Sequence, residues 1–405
     1  MRHPLETALN IADLREAARR RLPRGLFDFI DCGVEDDAAL RNNRAALDRI
    51  RLRPRVLADV SARKQTTTLF GRPQAMPLVI APTGPTGMLW YRGEIELARA
   101  AAKAGIPFTL ASPAVVPMED VIAQGGGRPW FQLYMWRDRE MSYRIVERAK
   151  AAGFETLVLT VDAIVAPNRE FHARNGFTIP MTLSARNLFD LASHPRWLLG
   201  VAGRYWRNGG LPRPQNYTPD RTTNPPVRPL GQSIDKNESL TWNDVRALRD
   251  RWPGTLIVKG ILHPEDAVNA VDAGADGIVV SNHGALGCDA AMASIDALPA
   301  IADAAGSRAT VLLDSGFRRG TDIVKALALG AKAVLVGRAT LYGTAAGGEA
   351  GAARAIDILR QEIDRTLAQL GCRDVAELGR DHVILAPGTG ARLTNTELRA
   401  TSPET

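Results

Sequence analysis

Ile278-Val279-Val280-Ser281-Asn282-His283-Gly284 is the stretch whose reading decides the fold. Its first half is β-branched and has no polar break, as expected of a parallel strand covered on both faces. Ser-Asn-His-Gly then changes to turn chemistry and delivers a histidine. A histidine at the carboxyl end of a parallel strand stands where α/β barrels carry their catalytic groups. Alone, it would read as a structural side chain hydrogen-bonded at a strand end. The rest of the chain turns that reading around.

Working outward, apolar runs alternate with amphipathic segments from residue 77 onward. The runs are Leu78–Ala81, Phe108–Ala111, Trp130–Tyr134, Leu157–Val161, Leu256–Lys259, Ile278–Ser281, Val311–Asp314 and Ala333–Val336, eight in all. Helical patterns cover Glu94–Lys103, Glu140–Ala151, Trp242–Arg251, Pro264–Ala273, Asp322–Leu329 and Gly351–Leu370. Gly105, Gly153, Gly274 and Gly330 follow helical patterns, placed to close them before the next strand. This rhythm predicts an α/β fold, a (β/α)8 TIM barrel, with an open doubly wound sheet as the alternative. Residues 1–75 read as an N-terminal helical segment packing on the barrel, 76–385 as the barrel and 386–405 as a polar tail. In the first of these, Pro23 ends one helix, Gly33 closes the next, and Asp36 or Asp37 caps a third. The rhythm breaks at 177–238, rich in Pro, Trp and Tyr. A long insertion of this kind is a surface loop, a substrate lid, or a segment that docks a membrane or partner.

Composition narrows the function. The 405 residues are 45% hydrophobic and 23% charged, with a net charge of +7. No polybasic block with interleaved aromatics is present, which argues against a nucleic-acid partner. Cys32, Cys288 and Cys372 lie far apart and form no CxxC pair, so neither a disulfide framework nor a metal site is expected. The amino-terminal stretch has no apolar signal region and no run is long enough to span a bilayer. A cytoplasmic protein is expected, or one peripheral on the inner face of a membrane through 177–238.

The strand ends carry the chemistry. In order they offer Pro82, Thr83 and Gly84; Ser112; Gln132 and Tyr134; Thr160 and Asp162, then Arg169; Lys259; Ser281 and His283; Asp314 and Gly316; and Gly337-Arg338. Arg318 and Arg338 lie after the last two strands, where such barrels bind phosphate through glycine amides and a helix start. That spacing predicts a phosphate-bearing cofactor. Lys259 reads as a Schiff-base lysine, a charge beside a cofactor ring, or half of a buried ion pair. His283 with Asp162 suits a general base tuned by a carboxylate.

Taken together, these residues resemble the FMN-dependent 2-hydroxy acid oxidases and dehydrogenases over about residues 12–385. The resemblance rests on Ala81-Pro82-Thr83-Gly84, Phe131-Gln132-Leu133-Tyr134, Leu159-Thr160-Val161-Asp162, Val258-Lys259-Gly260, Ser281-Asn282-His283-Gly284 and Asp314-Ser315-Gly316-Phe317-Arg318-Arg319-Gly320. Gly84-Pro85-Thr86-Gly87-Met88 and Gly337-Arg338-Ala339-Thr340-Leu341 look most like the mandelate dehydrogenase branch. The resemblance implies FMN, its phosphate on Gly316, Arg318, Gly337 and Arg338. Pro82, Thr83 and Gly84 would lie along the flavin ring, with Ser112, Gln132, Thr160 and Ser281 at its edges and Lys259 and Asp314 nearby. It implies His283 as base, Asp162 supporting it, and Tyr134 and Arg169 holding the substrate. Oxygen, a quinone or a carrier protein would accept the electrons, and relatives are often homo-oligomers such as tetramers.

Two positions depart from that pattern. Leu286 stands where the family places a carboxylate-binding arginine, and Phe29 where it places a tyrosine. The substitutions favour either a 2-hydroxy acid held by Arg169 alone or a bulkier, less charged alcohol, amine or peptide-derived compound. A flavin-binding protein without catalysis and a Schiff-base lyase are the competing classes.

Overall fold

Strand β8 pairs with β1 and so closes the ring. The strands are Leu78–Thr83 (β1), Phe108–Ala111 (β2), Pro129–Tyr134 (β3), Thr156–Thr160 (β4), Thr255–Ile261 (β5), Gly277–Val280 (β6), Thr310–Leu313 (β7) and Ala333–Val336 (β8). All of these pairings are parallel, and Val334 aligns with Leu78 across the closure. An open doubly wound sheet is thereby excluded. The computed structural model describes residues 4–176, 184–210, 212–218 and 238–385. The expected polar tail and parts of the insertion lie outside the described residues.

Period-two alternation explains why the barrel forms and where its chemistry sits. Val79, Ala81, Trp130, Val158, Ile257, Val279, Leu312 and Leu335 form one buried cluster inside the ring. Their neighbours Leu78, Ile80, Phe131, Leu157, Val258, Ile278 and Val311 face the helices in a second, larger cluster. Leu69 and Phe70 join the inner cluster from the hairpin Thr67–Leu69/Arg72–Gln74. Two residues beyond the inner apolar layer, on the same side of each strand, come Thr83, Gln132, Thr160, Lys259, Ser281 and Asp314. One alternation rule thus fills the barrel with hydrocarbon and rims its carboxyl end with polar groups.

The four glycines expected to close helices all have positive φ, between 67° and 110°. Other boundaries differ. Helices Met118–Gly125 and Ser294–Ala305 were not anticipated; the second contains Pro299, which obscures its pattern. The last helical run begins at Arg338 rather than Gly351, because non-helical Gly347 and Gly348 separate two helices. In the N-terminal segment, helix Arg24–Asp31 ends on Cys32, one residue before the expected Gly33. Asp37 does stand at the start of helix Ala38–Arg49, but its carboxylate accepts from Gly33 N. Buried Asp289 caps that helix instead, accepting from Asp36 N and Ala39 N at 3.1 and 3.0 Å. Strand Ile50–Leu52 pairs antiparallel with Val383–Leu385 and ties the segment to the end of the barrel. Among the described residues no helix is long and apolar enough to cross a membrane.

Candidate active site

The strand ends converge on two hydrogen-bonded groups. In the first, Asp162 Oδ1 accepts from His283 Nδ1 at 2.7 Å, and Tyr134 Oη meets His283 Nε2 at 3.1 Å. Asp162 therefore fixes the ring proton on Nδ1 and leaves Nε2 with its lone pair. Burial acts to raise the Asp162 pKa, but His283 and Lys259 outweigh it and hold the carboxyl below its usual range. Burial pushes the Tyr134 phenol up to about 12, so it stays neutral. Gly260, with φ of 115°, makes this geometry possible: a Cβ there would lie 2.5 Å from Asp162 Cγ.

His283 owes its position to an unusual turn. His283, Gly284 and Ala285 all have left-handed φ, 58°, 63° and 66°. Such a conformation persists only where its surroundings hold it. Ser281 Oγ accepts from His283 N, Ser315 Oγ from Gly284 N, and Asn282 exchanges reciprocal hydrogen bonds with Asn43. Asn43 and Ser315 were missed in the sequence reading; Ser315 lay inside a recognised motif, while Asn43 carried no signal.

The second group is centred on Lys259. Its Nζ donates to Ser281 Oγ at 2.8 Å and lies 3.1 Å from Asp314 Oδ2. Burial alone would lower the Lys259 pKa, but Asp314 and Asp162 reverse the effect and raise it. The amine therefore stays protonated, which works against a Schiff-base role, since that needs a neutral amine. Beside it, Ser112 N donates to Gln132 Oε1 and Gln132 Nε2 to Thr160 Oγ1.

Arg169, Phe29 and His172 form one wall near His283. The Arg169 guanidinium sits 5.1 Å over the Phe29 ring, which also stacks with His172 at 5.8 Å. Burial lowers the pKa of Arg169, and no hydrogen bond or ion pair of its side chain is found among the described residues. Burial and Arg169 push His172 down to about 4, so it is neutral near pH 7. Leu286 is half-buried in the turn that follows His283.

These residues suit a phosphate-bearing flavin. Thr83 Oγ1 is buried on the strand-end rim with no hydrogen-bond partner, and so calls for a ligand group. The two candidate helix starts differ. Asp322 already accepts from Arg318 N and Arg319 N, closing the start of helix Gly320–Ala328. The helix beginning at Arg338 has Gly337 as its cap and no side-chain cap, so its start is open to an anion. Arg338 differs from expectation. Its guanidinium donates to the carbonyls of Ile30, Cys32 and Gly284, closing the end of helix Arg24–Asp31 and bracing the His283 turn. What it offers toward a phosphate is its main-chain N–H. Gly316 and Arg318 lie in the neighbouring loop, with Arg318 Cζ 5.7 Å over the Tyr342 ring.

A histidine held by a carboxylate, beside a buried cation and a helix start open to an anion at the carboxyl end of a barrel, suits a cofactor-dependent barrel enzyme. Comparison with known proteins makes this specific. The chain belongs to the FMN-dependent dehydrogenase family, whose model matches residues 18–385, and FMN is its cofactor. It is 42% identical to (S)-mandelate dehydrogenase of Pseudomonas putida over 93% of this chain and 94% of that one. It is 45% identical to an L-lactate dehydrogenase of Caulobacter vibrioides over 90% and 95%. The crystal structure of the monotopic membrane protein (S)-mandelate dehydrogenase superposes with a TM-score of 0.86 at 41% identity, covering 94% of this chain and all of that one.

Proposed function

We propose that the chain oxidises a mandelate- or lactate-like 2-hydroxy acid to the 2-oxo acid, with His283 as general base. The observation that carries this reading is the His283 geometry: Nδ1 on Asp162, Nε2 free to take a proton once a substrate hydroxyl replaces Tyr134. Oxidation of CH–OH to C=O removes two electrons and two protons. Bound FMN would accept the electron pair and one of the two protons, leaving the other for a protein base. The side chains do the rest. His283 takes a proton, and the charged Asp162 stabilises the imidazolium. Neutral Tyr134 donates to the substrate oxygen. Arg169, desolvated and with no anionic partner among the described residues, supports the carboxylate. Lys259 supplies fixed positive charge beside the flavin. The intact base also argues against a flavin-binding protein without catalysis.

Anaerobic bleaching of the flavin by (S)-mandelate, lactate and glycolate, beside their esters and amides, tests the reading. Rapid bleaching by a free acid supports it; bleaching by the uncharged compounds alone would favour the second reading. That second reading, a bulkier or less charged substrate, draws on the apolar Leu286, half-buried in the turn after His283, and on Phe29 under Arg169. Leu286→Arg tests it further. If the missing cation limits acid binding, kcat/KM for mandelate rises about tenfold, the worth of a modest charge-assisted bond. No gain would mean the pocket has been rebuilt more widely.

We also propose peripheral membrane contact through the insertion. Phe189, Leu199 and Trp206 are 77%, 69% and 75% exposed, and Arg186, Arg196, Arg204 and Arg207 lie on the same or the adjoining helices. Apolar side chains flanked by arginine suit an anionic bilayer surface, where a quinone would be the accessible acceptor. Phe189→Glu with Leu199→Glu is expected to abolish sedimentation with anionic vesicles and leave flavin bleaching intact. Undiminished sedimentation would locate the contact elsewhere.

A further inference from the structure

The insertion also reaches the active site. Its segment 212–218 is fastened to the barrel on both sides of Tyr217. Arg148 Nη1 donates to the carbonyls of Gln215 and Thr218 at 3.0 and 2.9 Å, and Glu119 holds the same guanidinium. Buried Asn216 accepts from Met118 N and donates to Val116 O, and Gln215 N donates to Ala114 O. With its neighbours tied down, Tyr217 sets its ring edge-on to Trp136 at 5.4 Å and 89°. Trp136 follows Tyr134 by two residues at the end of β3.

Burial raises the Tyr217 phenol well above its usual range, and Tyr134 adds to the rise. Yet the Tyr217 hydroxyl has no hydrogen-bond partner among the described residues. Tyr217 is half-buried and its hydroxyl is not fully enclosed, so a ligand can reach it. A site that holds a polar group ready for a ligand discriminates by it.

We propose that Tyr217 is a specificity-determining residue, closing the pocket for the substrate's α-substituent and offering its phenol to a polar atom at the far end of an aromatic one. This rests on the 2-hydroxy acid reading. Tyr134, which meets His283, and Trp136 leave the end of β3 together, and Tyr217 packs on Trp136. The ligand class is a 2-hydroxy acid with a hydroxylated or otherwise hydrogen-bonding aryl group.

The test titrates flavin-loaded enzyme with pyruvate, phenylglyoxylate and 4-hydroxyphenylglyoxylate, read by the flavin difference spectrum, which needs no turnover. Tyr217→Phe keeps the ring against Trp136. It is expected to weaken 4-hydroxyphenylglyoxylate about fivefold and leave the other two unchanged. Tyr217→Ala is expected to weaken both aryl ligands about tenfold and spare pyruvate. Equal effects on all three ligands, no effect on any, or no spectral response in the parent would overturn the proposal. Should Tyr217→Ala fail to fold, the Phe variant decides alone. Failure of the function itself shows separately, as flavin that no 2-hydroxy acid bleaches.

Discussion

His283→Asn lowers the rate of anaerobic flavin bleaching by a 2-hydroxy acid about a thousandfold, with the flavin still bound. Asparagine is the informative replacement because His283 has a φ of 58°, and Asn is among the few side chains enriched in that conformation. The turn should therefore survive. Ser281 still accepts from the main-chain N–H at position 283, and the Asn43–Asn282 pair is untouched. What disappears is the Nε2 lone pair. Asp162→Asn is the companion: it keeps a hydrogen-bonding side chain but removes the charge that stabilises the imidazolium, and a smaller loss is expected. Stopped-flow bleaching at saturating substrate separates the two. A loss within threefold for His283→Asn would remove His283 as the base; loss of flavin would instead mean that the turn supports the cofactor.

The parts of this site legible in the sequence are those a strand displays in its own alternation. A strand buried on both faces reads as an apolar run, and a polar residue at its end is conspicuous. Gln132, Thr160, Lys259, Ser281 and Asp314 all announce themselves this way. The illegible parts are contacts made across the chain. Asn43 meets Asn282 across 239 positions, and Asp289 caps a helix 250 positions earlier. Arg338 was expected among the residues that hold a phosphate, and its side chain turns out to be engaged elsewhere. Its partners are carbonyls 306 and 308 positions away, which no local pattern displays. Tyr217 was one aromatic among many in a Pro-rich insertion until its anchors were visible. Lys259 shows the intermediate case. Its burial was readable, but the choice among Schiff base, ion pair and cofactor charge needed Asp314 beside it.

Lys259→Met destabilises the fold by about 3–5 kcal/mol and abolishes flavin reduction. The Lys259 and Asp314 side chains are only 5% and 9% exposed, so removing the cation leaves a carboxylate in the barrel mouth without its counter-charge. Ser281, which also supports His283 N, loses its donor. Methionine matches the lysine stem in length, so the loss measures charge rather than volume. The double variant Lys259→Met/Asp314→Asn separates stability from function. Neutralising both partners should restore most of the stability, because the cost lies in the unpaired charge. It should not restore flavin reduction, because positive charge beside the flavin is still missing. The pH dependence has a definite sign. The folded pKa of Lys259 is raised, so its contribution is complete below the unfolded value of about 10.4 and is lost only as pH rises through the folded one. The gap between parent and Lys259→Met in denaturant midpoint should therefore stay flat from about pH 6 to 9 and narrow only in stronger alkali. A double variant that bleaches at the parental rate would reduce Lys259 to a structural ion pair.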